Sequence, residues 1–268
     1  MQALIPYIVV VFIYLAVAAD YWRGAKTPNN TYSLNLHSAM IALGLVVHSW
    51  LLYQNIFKDA FNLSLFNALS AIFWLTVLIY WLADLTHKLN SLQAFVLPPA
   101  AIFALMPAFG IDDHFLPANE SALFLTHITI ALLAYSLFTF AALHALLMAI
   151  AERSLHNKPT IIKLPSFPPL MIMERLLFRV IGLGFALLTI TEISGILFSE
   201  QIFSKPMQLN HKTIFSIASW FIYGWLLFGR YQYGWRGVKA IRWTLSGFAL
   251  LLLAYVGSKF VLEVLLHR

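Results

Sequence analysis

Three of the nine histidines stand where an imidazole could ligate iron inside a membrane. His127 and His211 each lie near the predicted outer end of an apolar stretch, and His48 lies well inside another. Two neutral imidazoles at one level, on separate helices, can present nitrogen lone pairs to opposite faces of one haem iron. The chain has no cysteine, which excludes covalent haem attachment and thiolate ligation. The chemistry predicted is therefore non-covalent binding of haem b.

A porphyrin also needs flat apolar walls, and a ligand histidine needs a partner that orients its ring. Tyr135 lies on the helical face of His127, and Trp220 follows His211 by nine residues. Glu192 could accept the second ring N–H of a ligand histidine. An alternative interpretation stays open, in which the aromatic residues line the membrane interface as they generally do and Glu192 is hydrated near the outer surface. The predicted cofactor contacts are His127, His211, His48, Tyr135, Trp220 and Glu192, with His127 and His211 as metal ligands.

Membrane helices must position these side chains. The chain is 61% hydrophobic and 10% charged, with a mean hydropathy of +0.80, which leaves too little polar surface for a soluble globule of 268 residues. A crossing needs about 20 apolar residues. The predicted fold is an all-α polytopic bundle, treated as one domain over residues 1–268. Its eight transmembrane helices are predicted at 4–21, 36–53, 65–85, 92–109, 122–150, 176–198, 213–228 and 241–266.

The distribution of lysine and arginine predicts the orientation. With the N-terminus outside, the cytoplasmic connections hold 12 of the 17 lysines and arginines, and the positive-inside rule then places both termini on the outer, periplasmic side. The densest basic cluster, around Arg236, is explained by this topology and by attraction to anionic lipid. The predicted location is the inner membrane, in several passes, and no nucleic-acid partner is predicted.

The absence of common catalytic motifs favours a binding protein over an enzyme. No phosphate-binding glycine loop and no Gly-x-Ser-x-Gly motif is present in the sequence. The longest connection, residues 151–175, contains four prolines and is predicted to lack a regular helix. The chain is therefore predicted not to be an enzyme.

Three segments resemble the cytochrome c assembly (CcsA/CcmC-like) family of haem-handling membrane proteins. They read HITIALLAYSLF at 127–138, RVIGLGFALLTITEISG at 179–195 and YGWRG at 233–237. The resemblance marks residues 122–266 as the cytochrome c assembly-like region. PPLM at 168–171 and AYVGSK at 254–259 are similar to the short eight-helix branch of YpjD- and HemX-type proteins.

The resemblance implies that His127 corresponds to an external haem ligand and His48 to an internal one. This chain departs from the pattern, because QLNHKT at 208–213 replaces a tryptophan-rich outer loop. The expected internal partner is Phe228 here, and the external partner has only His267, offset by about a residue. Three pairings stay open: His127 with His211, His127 with His267, and His48 with an unnamed partner. The first is preferred, since both residues begin helices at the outer surface.

The predicted function is haem binding or relay in the inner membrane, linked to cytochrome c assembly or tetrapyrrole regulation. The predicted partners are the lipid bilayer, haem, and a cytochrome biogenesis protein or another membrane protein. One alternative is a membrane scaffold without haem, in which His127 forms hydrogen bonds within the bundle. Another is a small-molecule or ion permease, although neither internal repeats nor midplane charges are evident.

Overall fold

The described residues are almost entirely helical. The computed structural model describes residues 4–24, 34–57, 62, 64–87, 92–109, 122–156, 167–199 and 211–254. Five helices in these ranges are long and apolar enough to cross a membrane by length and composition. The predicted all-α polytopic membrane bundle is confirmed. The eight helices are α1 (Ile5–Gly24), α2 (Leu34–Ile56), α3 (Leu65–His87), α4 (Gln93–Leu105), α5 (Ala122–His156), α6 (Leu170–Leu197), α7 (His211–Tyr233) and α8 (Gly237–Leu252).

The helices extend further into the proline-containing connection than predicted. Helix α5 continues to His156, and α6 already begins at Leu170. Pro168 and Pro169 directly precede α6, where the N–H that proline lacks would have no helical partner. Residues 157–166, the end of the predicted last helix and His267 lie outside the described residues. The outward orientation of both termini stays a prediction.

Helix α4 is shorter than the predicted segment 92–109. It contains Pro98 and Pro99, and the chain continues as a 3-10 turn over Met106–Phe109, which includes Pro107. Proline removes backbone N–H donors, so a regular α-helix is not favoured across the full stretch. The combined segment is apolar but shorter than the five long helices.

The helices divide into two compact units. The N-terminal unit comprises Met1–Phe115 and Ile150–Met173, and the C-terminal unit comprises Leu116–Ala149 and Glu174–Arg268. In the N-terminal unit, α1 contacts α2 and α4, and α3 contacts the same two helices. These four helices therefore form a closed ring. The treatment of the chain as a single domain stays a prediction.

Helix α1 contributes a tyrosine ladder to the N-terminal unit, formed by Tyr7, Tyr14 and Tyr21. The three side chains are buried and stand seven residues apart, a spacing that keeps them on nearly one helical face. Tyr7 donates a hydrogen bond of 2.9 Å to Asn55 Oδ1, and the ring of Tyr21 lies 4.7 Å from that of His37. Tyr7 and Tyr21 thus each contact a polar residue of α2, and these contacts fix the register of the two helices.

The core of the C-terminal unit forms around Tyr223 of α7. Its ring stacks on Phe138 of α5 at 4.0 Å, and its hydroxyl donates to the Thr244 carbonyl of α8 at 3.2 Å. A Cβ at Gly247 would lie only 2.8 Å from Tyr223 Cε2. The glycine therefore permits the close approach of α7 and α8.

Candidate functional site

His127 lies in the second turn of α5 and is partly buried. Its Nδ1 atom is 2.8 Å from the hydroxyl oxygen of Ser194 on α6. Ser194 Oγ also donates to the Thr191 carbonyl at 3.0 Å, and a carbonyl can only accept. With the hydroxyl proton of Ser194 on that carbonyl, its oxygen would accept the proton of His127 Nδ1. The lone pair of the neutral imidazole would then be on Nε2.

The imidazole of His127 also lies beside Gly195 of α6. A Cβ at Gly195 would lie 3.5 Å from His127 Cε1, which is ordinary van der Waals contact. Ser194 and Gly195 end the 179–195 segment that carries the family resemblance, yet Ser194 was missed among the candidate residues. A serine beside a glycine near the end of an apolar helix was the signal that could have found it.

Glu192 makes a different contact from the predicted one. Its Oε1 accepts a hydrogen bond from the Ser216 hydroxyl of α7. The hydroxyl of Ser194 takes the position next to His127 that had been proposed for a carboxylate. Near its end, α6 thus contacts α7 through Glu192 and His127 of α5 through Ser194.

Contacts between α6 and α7 set the depth of His211. Ser216 meets Glu192, and Trp220 donates to Thr189 Oγ1 at 2.8 Å, so the two helices run antiparallel. At about 1.5 Å per residue, Ser194 lies about 3 Å beyond Glu192 along the axis, and His211 lies about 7.5 Å beyond Ser216. The levels of His211 and Ser194 therefore differ by about 4.5 Å, less than one helical turn. His211 is the first residue of α7 and is exposed.

The predicted aromatic walls lie below this level. Trp220 stacks on Phe185 at 5.4 Å with an interplanar angle of 25°. Tyr135 is partly buried and lies about 12 Å along α5 from His127. Phe138, on the same helix, packs against Tyr223 in the core. Trp220 lies about 13.5 Å along α7 from His211, so each ring is about two helical turns from the histidine on its own helix.

His48 belongs to the N-terminal unit and has other surroundings. Its side chain is fully buried. Its Nε2 is 2.9 Å from Ser70 Oγ, and its Nδ1 is 3.4 Å from the Tyr14 hydroxyl. Both ring nitrogens have hydroxyl partners, so binding iron would require one of these hydrogen bonds to break. Its role as an internal ligand stays a prediction.

The donor set suits haem better than a bare metal ion. Among the described residues, no group of three or more His, Cys, Asp or Glu side chains is placed to hold a metal ion. Haem iron already has its porphyrin nitrogens and needs only axial ligands. A neutral imidazole whose Nε2 carries the lone pair, the tautomer in which His127 Nδ1 donates to Ser194, would fit that requirement.

Comparison with known proteins identifies the family. Residues 36–266 match the model of the family described as cytochrome C assembly protein. The chain belongs to the cytochrome c assembly family. No solved structure matches the chain.

Several relatives of this cytochrome c assembly family member match over most of its length. It is 32% identical to the inner membrane protein YpjD of Escherichia coli (strain K12), with 85% of this chain and 86% of that protein covered. It is 25% identical to protein HemX of Brevibacillus brevis, with 94% of each chain covered. It is 23% identical to the cytochrome c biogenesis protein CcsA of Chlamydomonas reinhardtii, with 75% of this chain and 58% of that protein covered.

The family match confirms the resemblance proposed from the sequence and begins earlier than residue 122. The three segments that carried the resemblance fall on α5, on α6 and on the junction of α7 with α8. All three belong to the C-terminal unit of this cytochrome c assembly protein. The segments thus cluster in the unit that contains both His127 and His211.

Proposed function

We propose that this cytochrome c assembly protein binds haem b non-covalently at the outer end of its C-terminal unit, with His127 and His211 as axial ligands. Membership of the family supports a role in cytochrome c assembly. Tetrapyrrole regulation is the alternative role within the same proposal, and the chain is 25% identical to protein HemX. The relative named as an inner membrane protein supports placement in the inner membrane, where five long apolar helices would cross the bilayer.

One observation carries the proposal, namely the pair of hydrogen bonds at Ser194. With the Ser194 proton on the Thr191 carbonyl, its oxygen would accept from His127 Nδ1, and the imidazole would be held as the tautomer with an Nε2 lone pair. Metal-ligating histidines commonly donate their other ring N–H to an anchoring oxygen, which orients the ring and fixes the tautomer. The same arrangement supports His127 as the first of the two proposed iron ligands.

His211 is the proposed second ligand because of its depth and exposure. The contacts between α6 and α7 place it within about one turn of the level of Ser194, and its exposed side chain can turn towards a cofactor at the membrane surface. Trp220 would provide an apolar wall, with Tyr135 deeper along α5. Glu192 would keep α7 in place through Ser216. Bound haem would supply an iron that accepts two nitrogen donors.

The first experiment is spectroscopic. The protein would be purified in mild detergent from haem-replete cells, and oxidised and reduced absorption spectra would be recorded with the haem content per chain. We expect a low-spin spectrum typical of two nitrogen ligands in the unaltered protein. His127→Ala should abolish it, and His211→Ala should convert it to a high-spin form or remove it.

A matched control is His156→Ala, at the end of α5 opposite to His127, which should keep both spectrum and haem content. Equal haem content in all three variants would reject the assignment of ligands. A colourless protein that stays colourless when haem is added would overturn haem binding itself. That result would favour the scaffold hypothesis, in which His127 only joins α5 to α6.

A further inference from the structure

The junction of α7 and α8 is a rigid turn, which we call the elbow and which comprises residues 233–237. Gly234 and Gly237 have φ values of 64° and 54°, a backbone region in which glycine is strongly favoured. The guanidinium of Arg230 donates to Glu174 Oε1 at 2.7 Å and to the Trp235 carbonyl at 3.0 Å. The Gly237 N–H donates to Glu174 Oε2 at 3.3 Å. One carboxylate and one guanidinium therefore hold the turn.

The ion pair that holds the elbow is largely withdrawn from solvent. The side chains of Arg230 and Glu174 are 28% and 15% exposed. Glu174 is thus already committed to a charged partner at short range. Its second ionic contact, with Arg236 Nε, is longer, at 3.7 Å.

Three further cations lie on one side of the elbow. Arg236, Lys239 and Arg242 are exposed. Lys239 and Arg242 lie three residues apart on α8, a spacing that places helical side chains next to one another, and Arg236 directly precedes this helix in an extended conformation. The Arg236 side chain is 68% exposed. Among the described residues, no ionic partner is recorded for Lys239 or Arg242. The face therefore carries an excess of positive charge, and an anion would be drawn to it.

Aromatic rings form a platform beneath these cations. The Lys239 ammonium lies 3.8 Å from the centre of the Trp235 ring, a cation–π distance. Trp235 stacks with Tyr233 at 6.3 Å and with Trp243 at 6.1 Å. Tryptophan and tyrosine are enriched at the level of lipid headgroups. The platform therefore places the cations where headgroup phosphates lie.

An apolar stripe leads away from the elbow along α7. Phe221, Trp225 and Phe228 are exposed and stand four and three residues apart, so they share one face of the helix. This stripe suits an acyl chain, which a soluble anion does not have. From the charge and the stripe together, we propose that the elbow binds an anionic phospholipid, with the headgroup phosphate at Arg236, Lys239 and Arg242 and a tail along α7.

The predicted topology agrees with this occupant. The positive-inside distribution places the elbow on the cytoplasmic side, where anionic lipids give the leaflet a negative surface potential. The inference does not depend on haem, because no proposed haem contact lies among the three cations. A lipid at this position would stabilise the packing of α7 against α8.

The test compares lipid binding by the full-length protein and two double variants of equal charge change. Delipidated protein in detergent would be titrated with phosphatidylglycerol, phosphatidylcholine or inorganic phosphate, and bound lipid would be counted by native mass spectrometry. The elbow variant is Lys239→Gln with Arg242→Gln. The control variant is Arg153→Gln with Arg175→Gln, which removes two exposed cations at other positions on the predicted cytoplasmic side.

We expect phosphatidylglycerol to bind the unaltered protein and the control alike, and the elbow variant to bind it roughly tenfold or more weakly, since each basic residue adds attraction to an anionic headgroup. A charge-conserving double variant, Lys239→Arg with Arg242→Lys, should bind phosphatidylglycerol like the unaltered protein. Equal weakening in the control, or equal binding of phosphatidylcholine, would overturn the site. Binding of inorganic phosphate with the same loss in the elbow variant would show a free-anion site instead of a lipid site.

Discussion

His48 and His127 both lie in membrane helices and have hydroxyl partners, but they differ in burial and in the number of hydroxyl groups that they meet. His48 is fully buried in the N-terminal unit, and each of its ring nitrogens lies within hydrogen-bonding distance of a hydroxyl. His127 is partly buried near a helix end, and Ser194 engages its Nδ1. The first histidine has both ring nitrogens next to buried hydroxyls, whereas the second is joined to a neighbouring helix through Ser194. Helix packing thus decides which hydroxyl groups meet each imidazole.

The largest expected effect tests this difference by removing each imidazole. His48→Ala should lower the free energy of unfolding by roughly 2 to 4 kcal/mol, because it leaves a cavity and two buried hydroxyls without their partner. His127→Ala should cost less than about 1 kcal/mol, since the residue is only partly buried. Unfolding in mixed detergent and dodecyl sulfate micelles, followed by circular dichroism, measures both. Equal losses would contradict the distinction between core and ligand histidine.

The next effect tests packing against Tyr14, which is a partner of His48, and against His127. A Cβ at Gly44 would lie 2.7 Å from Tyr14 Cε1, whereas one at Gly195 would lie 3.5 Å from His127 Cε1. Gly44→Ala should therefore destabilise the protein by about 1 to 3 kcal/mol through overpacking. Gly195→Ala should be close to neutral, as should the control Gly182→Ala, where nothing lies within 4 Å. The same unfolding assay measures all three variants. An unchanged free energy of unfolding in Gly44→Ala would show that the Tyr14 side chain can shift at little cost.

A subtler change separates orientation from ligation. Ser194→Ala keeps His127 but removes the acceptor that fixes its tautomer, so haem affinity should fall about 10- to 100-fold, as for other partners of metal ligands. Ser194→Thr, which keeps a hydroxyl, should retain most of the affinity. Haem titration followed at the Soret band gives the dissociation constants. Unchanged affinity in Ser194→Ala would remove the hydrogen-bond argument while leaving His127 open as a ligand.

The smallest effect concerns the hydroxyl next to His48. Ser70→Ala should lower the free energy of unfolding by about 0.6 kcal/mol, the typical value for a side-chain hydrogen bond within a membrane bundle. Haem content should not change, since His48 is not a proposed ligand in this comparison. A loss of haem in Ser70→Ala would instead support His48 as an internal ligand. Haem content and unfolding would be measured on the same preparation.

Much of the fold was predictable because membrane helices follow from local composition. Apolar runs of about 20 residues predicted the helices, and only their ends moved, as at His156 and Leu170. The bilayer forces backbone groups to pair within each helix, so helix content does not depend on distant contacts. The family, too, was evident from three short segments.

The site was less predictable because its contacts cross between helices. His127 could be selected by its position in α5, but its partner Ser194 is 67 residues away. Glu192 was selected for a carboxylate role and instead joins Ser216. Helical periodicity shows which residues share a face of one helix. It does not show which neighbouring helix packs against that face.

The sequence by itself determined the membrane class, the helical content and the cytochrome c assembly family, because each depends on composition or on local segments. Only the tertiary structure decided that His48 lies between Tyr14 and Ser70, and that His127 meets Ser194. A hydrogen bond acts over about 3 Å. Residues far apart in the chain reach that distance only when the helices have packed.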